Sequence, residues 1–162
     1  MGRSVTPPRK EPTMPRTEPT ELTVLCLIQQ GDKILLQNRT KADWRGYALP
    51  GGHVEPGESF VDAVVREMQE ETGLTIRNPQ LVGVKQFPLE GGRYVVFLFK
   101  ATQFTGELTS SAEGEVGWFS YAELPGLHTV ADLQTLLDVM NNPLLTEFQY
   151  VVTDNQWTAT VK

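Results

Sequence analysis

"GGHVEPGESFVDAVVREMQEETGL", residues 51–74, decides the fold. Six acidic residues, Glu55, Glu58, Asp62, Glu67, Glu70 and Glu71, crowd into it behind a pair of glycines. Ser59 stands where a helix wants its N-cap, and Asp62 follows three residues later in the capping-box position. Gly73 stands where a helix stops in a left-handed residue. These two signals frame a helix of about 13 residues. At roughly 100° per residue, Glu67, Glu70 and Glu71 share an arc of about 100°. Val61, Val64, Val65, Met68 and Thr72 fall on the adjoining side. The helix therefore offers an apolar face to a sheet and, beside it, a face of clustered carboxylates.

Like charges three and four residues apart repel by a few tenths of a kcal/mol per pair. Only Arg66 is close enough to offset three acids. On the helix alone two readings stand, a solvated acidic face or a seat for a hard divalent cation, Mg²⁺ or Mn²⁺. The loop "LPGGHVEPGES" favours the cation. Its glycines let the backbone come close to a ligand, and the Gly51 carbonyl is a further oxygen donor.

Outward from this helix, "LTVLCLI" (22–28) and "ILLQN" (34–38) read as strands around the turn "QQGDK". "RTKADWRGYALP" (39–50) reads as a loop. "LVGVKQF" (81–87) and "RYVVFLFKA" (93–101) flank "PLEGG" as a hairpin. "EVGWFS" (115–120) reads as a short strand. "TVADLQTLLDVM" (129–140) has helical apolar spacing and stops at "NNP". "FQYVVTDNQWTATV" (148–161) reads as a last hairpin around Asp154 and Asn155. Strands and helices interleave without repeats, which predicts one layered α and β domain.

Residues 1–20 hold five prolines and no aliphatic run. They are expected to form a disordered Pro-rich extension, with a single domain over 21–162. That start is not the pattern of a signal peptide, and no run approaches the ~20 apolar residues that span a bilayer. The one cysteine, Cys26, sits in an apolar run and reads as a buried hydrophobe. A cytoplasmic protein that does not engage membranes is expected. The net charge of −6 argues against stable nucleic-acid binding, yet leaves phosphate ligands open through a bridging cation.

The same residues spell the Nudix box, G-x5-E-x7-R-E-U-x-E-E-x-G-U with U a large aliphatic residue. Gly52, Glu58, Arg66, Glu67, Met68, Glu70, Glu71, Gly73 and Leu74 fill every position. Seven identities at ordinary residue frequencies meet by chance about once in 10⁸ starts. The chain therefore resembles the Nudix hydrolases. The resemblance implies an α+β fold, a mixed β-sheet sandwiched between α-helices. It implies hydrolysis of a nucleoside diphosphate linked to another group, with Mg²⁺ or Mn²⁺ as cofactor. Carried over by position, Glu67, Glu70 and Glu71 are the metal carboxylates with the Gly51 carbonyl beside them. Arg66 and Glu58 orient them through a salt bridge that locks the loop to the helix. In some relatives a further acid comes from outside the box, and here Glu113 or Glu115 is placed to be that ligand or the base.

"LLQNRTKADWRGYALPGG" and "GGRYVVFLF" resemble MutT-like 8-oxo-dGTP diphosphatases. By that resemblance Arg39 and Arg93 contact phosphate or sugar, Leu49 and Pro50 line the base pocket, and Asn141 or Asn142 reads a purine edge. Trp44 and Tyr47 are candidates to stack a base. Pro88 lies close to the proline typical of the family's ADP-ribose pyrophosphatases. The signature tyrosine of its dinucleoside-tetraphosphate enzymes is not matched, because Tyr94 lies too far along. The upstream motif of its coenzyme A pyrophosphatases is absent. The expected substrate is thus an oxidised purine dNTP such as 8-oxo-dGTP, split into monophosphate and pyrophosphate, with ADP-ribose or another nucleoside diphosphate derivative second. A nucleotide-binding sensor without turnover, the reading from another class, typically loses box carboxylates, and this chain keeps them. His53 reads as a neighbour of the site and His128 as a residue opening the late helix. A monomer or homodimer is expected.

Overall fold

The computed structural model describes residues 16–162. Fifteen residues of the expected extension thus lie outside the described residues. Within residues 16–20, Thr20 already belongs to the first strand, and the Pro19 carbonyl accepts from the Arg93 N–H at 3.1 Å.

The strands in chain order are β1 (Thr20–Gln30), β2 (Lys33–Arg39), β3 (Gly46–Ala48) and β4 (Gly51–His53). Helix α1 (Phe60–Thr72) follows, then β5 (Leu74–Arg77), β6 (Gln80–Leu89), β7 (Gly92–Ala101), β8 (Gln103–Gly106) and β9 (Gly114–Ser120). Helix α2 (Leu133–Asn141), β10 (Glu147–Thr153) and β11 (Gln156–Val161) complete the chain. The main sheet runs β11-β10-β6-β7-β1-β2-β3, with β4 also on β1 and β9 also on β2. It is mixed, since β1 pairs β7 and β6 pairs β10 in parallel while the other pairings are antiparallel.

Alternation along β1 shows why helices cover both faces. Val24, Cys26 and Ile28 join Val64 and Met68 of α1 in one buried cluster. Leu27, one position out of phase, joins Leu133, Leu136 and Leu137 of α2 in the other. Strand side chains alternate between faces, so a strand that is apolar throughout needs a cover on each side. Cys26 is buried, as expected, and burial pushes its thiol well above the usual range.

Helix α1 has the 13 residues its caps predict. Ser59 Oγ accepts from the Asp62 N–H at 3.0 Å, and Gly73 ends the helix at φ 74°. Val61, however, is exposed rather than packed on the sheet. Helix α2 starts four residues later than the apolar spacing predicts. Asp132 has φ 58°, a left-handed conformation that a right-handed helix does not continue through. The backbone before it is already in use, because Tyr47 N–H donates to the His128 carbonyl and Val130 N–H to the Tyr47 carbonyl. His128 therefore binds β3 through its backbone and does not open α2. Residues 39–50, expected as loop, contain the three-residue strand β3 and a short 3-10 helix at Ala42–Trp44.

Candidate active site

Strand β4 brings the glycine pair against β1, with Val24 opposite Gly52 and Leu25 opposite Gly51. Neither glycine has room for a side chain. A Cβ on Gly51 would lie 2.0 Å from the Val24 carbonyl oxygen, and one on Gly52 would lie 2.5 Å from the Glu67 carboxylate. Backbone and carboxylate are therefore pressed together where the helix crosses the loop.

Arg66 organises that crossing. Its Nε and Nη2 donate to the two Glu58 carboxylate oxygens, each at 2.8 Å, in a two-pronged pair. Nη2 also donates to the His53 carbonyl at 3.0 Å. Nη1 donates to Glu67 Oε1 at 2.9 Å and to Glu70 Oε2 at 3.3 Å. One cation thus serves three carboxylates. The hydrogen bonds from Arg66 and from the Glu55 backbone N–H hold the Glu58 carboxyl down at about 2.

The other carboxylates move the opposite way. Burial pushes Glu67 above its ordinary value, against the hydrogen bond from Arg66. Burial also raises Glu71 to about 7, against the Gly51 N–H that donates to its Oε2 at 3.0 Å; the charges of Glu67 and Glu113 add to the rise. Glu70 stays open, its side chain 58% exposed. Negative charge is stored here with too little positive charge beside it.

These groups line one end of a cavity of about 800 Å³. Gly51, Gly52, Arg66, Glu67, Glu70, Glu71 and Arg39 border it there, with Glu113 from the turn before β9. Lys41 pairs with Glu113 at 2.9 Å. Glu115 is exposed on β9 and does not border the cavity, so of the two acids outside the box the structure brings only Glu113 to it. Leu49 borders the cavity and Pro50 does not; the Pro50 carbonyl is taken by the Cys26 N–H at 3.1 Å. Arg93 lies off the cavity, paired with Glu18 and donating to Gln86 Oε1 at 3.1 Å. Trp44 borders the cavity, whereas Tyr47 packs edge-on against Phe119 at 4.9 Å. Asn141 is held by Lys100 at 2.8 Å and Tyr121 at 2.9 Å, and neither it nor Asn142 reaches the cavity. His53 stands at the rim, its Nε2 3.1 Å from Glu21.

A family model of the NUDIX domain matches residues 19–138. The chain belongs to the Nudix family. The Nudix hydrolase YvcI of Bacillus subtilis is 39% identical over 117 residues, 68% of this chain and 67% of that one. An ADP-ribose pyrophosphatase of Methanocaldococcus jannaschii is 38% identical over 105 residues, 62% of each chain. The crystal structure of a mutator MutT protein from Bacillus halodurans superposes with a TM-score of 0.72 at 31% identity, covering 88% of this chain and 97% of that one. Some curated relatives are longer, and the match spans as little as 33% of their length. As a Nudix hydrolase the chain is a pyrophosphohydrolase of nucleoside diphosphate derivatives.

Nudix hydrolases work with divalent cations, and the residues present fit one. Among the described residues no three carboxyl or imidazole groups converge into a closed cage. The buried Glu67 and Glu71, the open Glu70 and the shortage of positive charge beside them favour a cation there.

Residues outside the box also border the cavity, Tyr94 with its ring 6.0 Å from that of His53 and Lys85 on the far side of β7 from β1. Lys85, Phe87 and Tyr94 come from β6 and β7, Asp132 and Leu133 from the start of α2. The Phe87 and Tyr94 rings stack at 4.6 Å. The available signal was parity: in "VGVKQF" Lys85 shares a face with Phe87, so a lysine sits on the inward side of an apolar strand.

Proposed function

We propose that this chain hydrolyses an oxidised purine deoxynucleoside triphosphate, 8-oxo-dGTP in first place, to the monophosphate and pyrophosphate with Mg²⁺. One observation carries the reading. A single cavity joins the carboxylate cluster to an aromatic and aliphatic wall, which suits a ligand with a phosphate chain at one end and a base at the other. The likeness to a MutT protein over most of both chains supports it.

Glu67, Glu70 and Glu71 hold the cation, with the Gly51 carbonyl as a further oxygen. When bound, Mg²⁺ or Mn²⁺ supplies Lewis acidity toward the diphosphate oxygens. Arg66 and Glu58 fix the helix against the loop and keep the carboxylates aimed. Arg39 takes a phosphate oxygen, for which a guanidinium fork is suited. A carboxylate, from the box or Glu113, accepts the proton of the attacking water. The water oxygen bonds to phosphorus, the bridging P–O bond breaks, and the departing phosphate keeps the electron pair. Leu49 packs against the base.

A second reading, ADP-ribose, is supported by the 38% identity to a protein described as an ADP-ribose pyrophosphatase. A panel of 8-oxo-dGTP, dGTP, ADP-ribose and dinucleoside polyphosphates at low concentration, with Mg²⁺, separates them. The highest kcat/KM is expected for 8-oxo-dGTP. A marked preference for ADP-ribose would replace this reading with the second.

A further inference from the structure

Lys85 has an unusual position for an ammonium. Its Nζ lies 5.2 Å from the centre of the Phe148 ring and 5.4 Å from that of Tyr150, so two aromatic faces hold the charge. Among the described residues it has neither an ion-pair partner nor a hydrogen-bond acceptor. Burial draws it down to about 8, against the nearby charge of Asp132. Three N–H donors therefore border the cavity without a protein acceptor. Asp132 is itself anchored, since the Tyr150 hydroxyl donates to its Oδ2 at 2.6 Å.

We propose that Lys85 is a specificity-determining residue that donates to the O6 carbonyl of a 6-oxopurine base bound at this end of the cavity. The proposal rests on the purine-nucleotide reading above. Strand β6 is separated from β1 by β7 alone, so Lys85 lies about 10 Å across the sheet from the strand that carries β4. That separation matches the distance between the phosphates and the base of one nucleotide. The Asp132 charge beside Lys85 leaves this end close to neutral, which disfavours a second phosphate and favours an uncharged polar group. A carbonyl next to an N–H, as at O6 and N1 of guanine, meets a donor and an acceptor together. Adenine in the same orientation turns its amino hydrogens toward the ammonium. Lysine is an established partner of guanine O6 elsewhere in recognition chemistry.

The test compares kcat/KM of the wild type, Lys85→Met and Lys85→Arg on 8-oxo-dGTP, dGTP and the triphosphate of 2-aminopurine deoxyriboside, which lacks the C6 carbonyl. The wild type should prefer dGTP to the 2-aminopurine compound by about 10- to 100-fold, the range for a hydrogen bond to a charged group. Lys85→Met should bring the two to near parity without slowing the 2-aminopurine compound, and Lys85→Arg should restore part of the preference. If Lys85→Met does not fold, Lys85→Leu, which also removes every N–H donor, is read the same way. A Met variant that keeps the wild-type preference, or loses both rates in equal proportion, overturns the proposal, and turnover of 8-oxo-dGTP by the wild type then still supports the oxidised-dNTP reading. Inert 8-oxo-dGTP with Lys85-dependent cleavage of other guanosine diphosphate derivatives would instead overturn the oxidised-dNTP reading alone. Inertness of every guanine compound overturns both.

Discussion

Gly52→Ala is the substitution that most sharply separates catalytic geometry from fold. A Cβ at this position would lie 2.5 Å from Cδ and both oxygens of Glu67, where ordinary contact begins at 3.4 Å. The carboxylate must therefore retreat by 3.4 − 2.5, or 0.9 Å. Displacement of that size at a reacting centre costs about 10²-fold in rate. It also stretches the 2.9 Å bond from Arg66 to Glu67, a loss of about 2 kcal/mol, or roughly 4–8 °C in Tm for a domain of this size. Two neighbours serve as controls. A Cβ on Gly51 meets the backbone carbonyl of Val24 at 2.0 Å, so Gly51→Ala should destabilise the β1–β4 pairing far more. Gly57 has φ 78° but open space around it, so Gly57→Ala should cost about 1–2 kcal/mol through the backbone and leave the rate alone. Thermal unfolding and initial rates of pyrophosphate release measure both quantities. A Gly52→Ala enzyme that is folded at assay temperature and turns over like the wild type would refute the reasoning.

Three further outcomes are expected. Glu113→Gln should lower kcat by about 10²-fold or more, the scale for loss of a proton-transfer group, whereas Glu115→Gln should match the wild type in the same steady-state assay. The cation must displace protons from Glu71, raised to about 7, and from Glu67, so apparent Mg²⁺ affinity by calorimetry should strengthen as pH rises toward 7 and level off above it. Lys85 is held near 8 when folded and lies near 10.5 when free, so its charge costs stability in full below pH 8, and that cost fades as pH rises from 8 to 10.5. Lys85→Met should then raise stability at pH 7 by about 1–2 kcal/mol, allowing for solvent screening in the open cavity, with the gain shrinking toward pH 10 in denaturant titrations.

The framework around α1 was legible because its signals are local. Ser59, Gly73 and the carboxylate arc each act within a few residues, and the apolar runs of β1, β2, β6 and β7 are long enough to show their period. Strands β3, β4, β5 and β8 have three or four residues each, too few for a period; β3 and β4 form on their longer neighbours β2 and β1, and β5 and β8 form by pairing with each other. The start of α2 was misplaced because Asp132 takes a left-handed conformation that its type permits but does not require. Among the expected substrate contacts, Arg93, Asn141 and Pro50 fail to reach the cavity for one reason: each is claimed by a partner distant in sequence, Glu18 and Gln86, Lys100 and Tyr121, and Cys26. The Glu113 and Glu115 alternatives separate by where β9 begins: Glu113 lies in the turn before it and Glu115 in the strand, opposite Asn38 of β2. Lys85 and Asp132 were overlooked because they meet only when β6 and the start of α2 face the same space.

The central claim is that crowded carboxylates on α1 exist to hold a divalent cation. Mn²⁺ titration followed by electron paramagnetic resonance, on the wild type and on Glu70→Gln, tests it directly. Glu70 is mostly exposed, so the substitution should leave the fold intact. The wild type should bind Mn²⁺ stoichiometrically, and the variant should bind it at least tenfold more weakly, the scale of one lost charged ligand. Equal Mn²⁺ binding by the two proteins, or none by the wild type, would contradict the account.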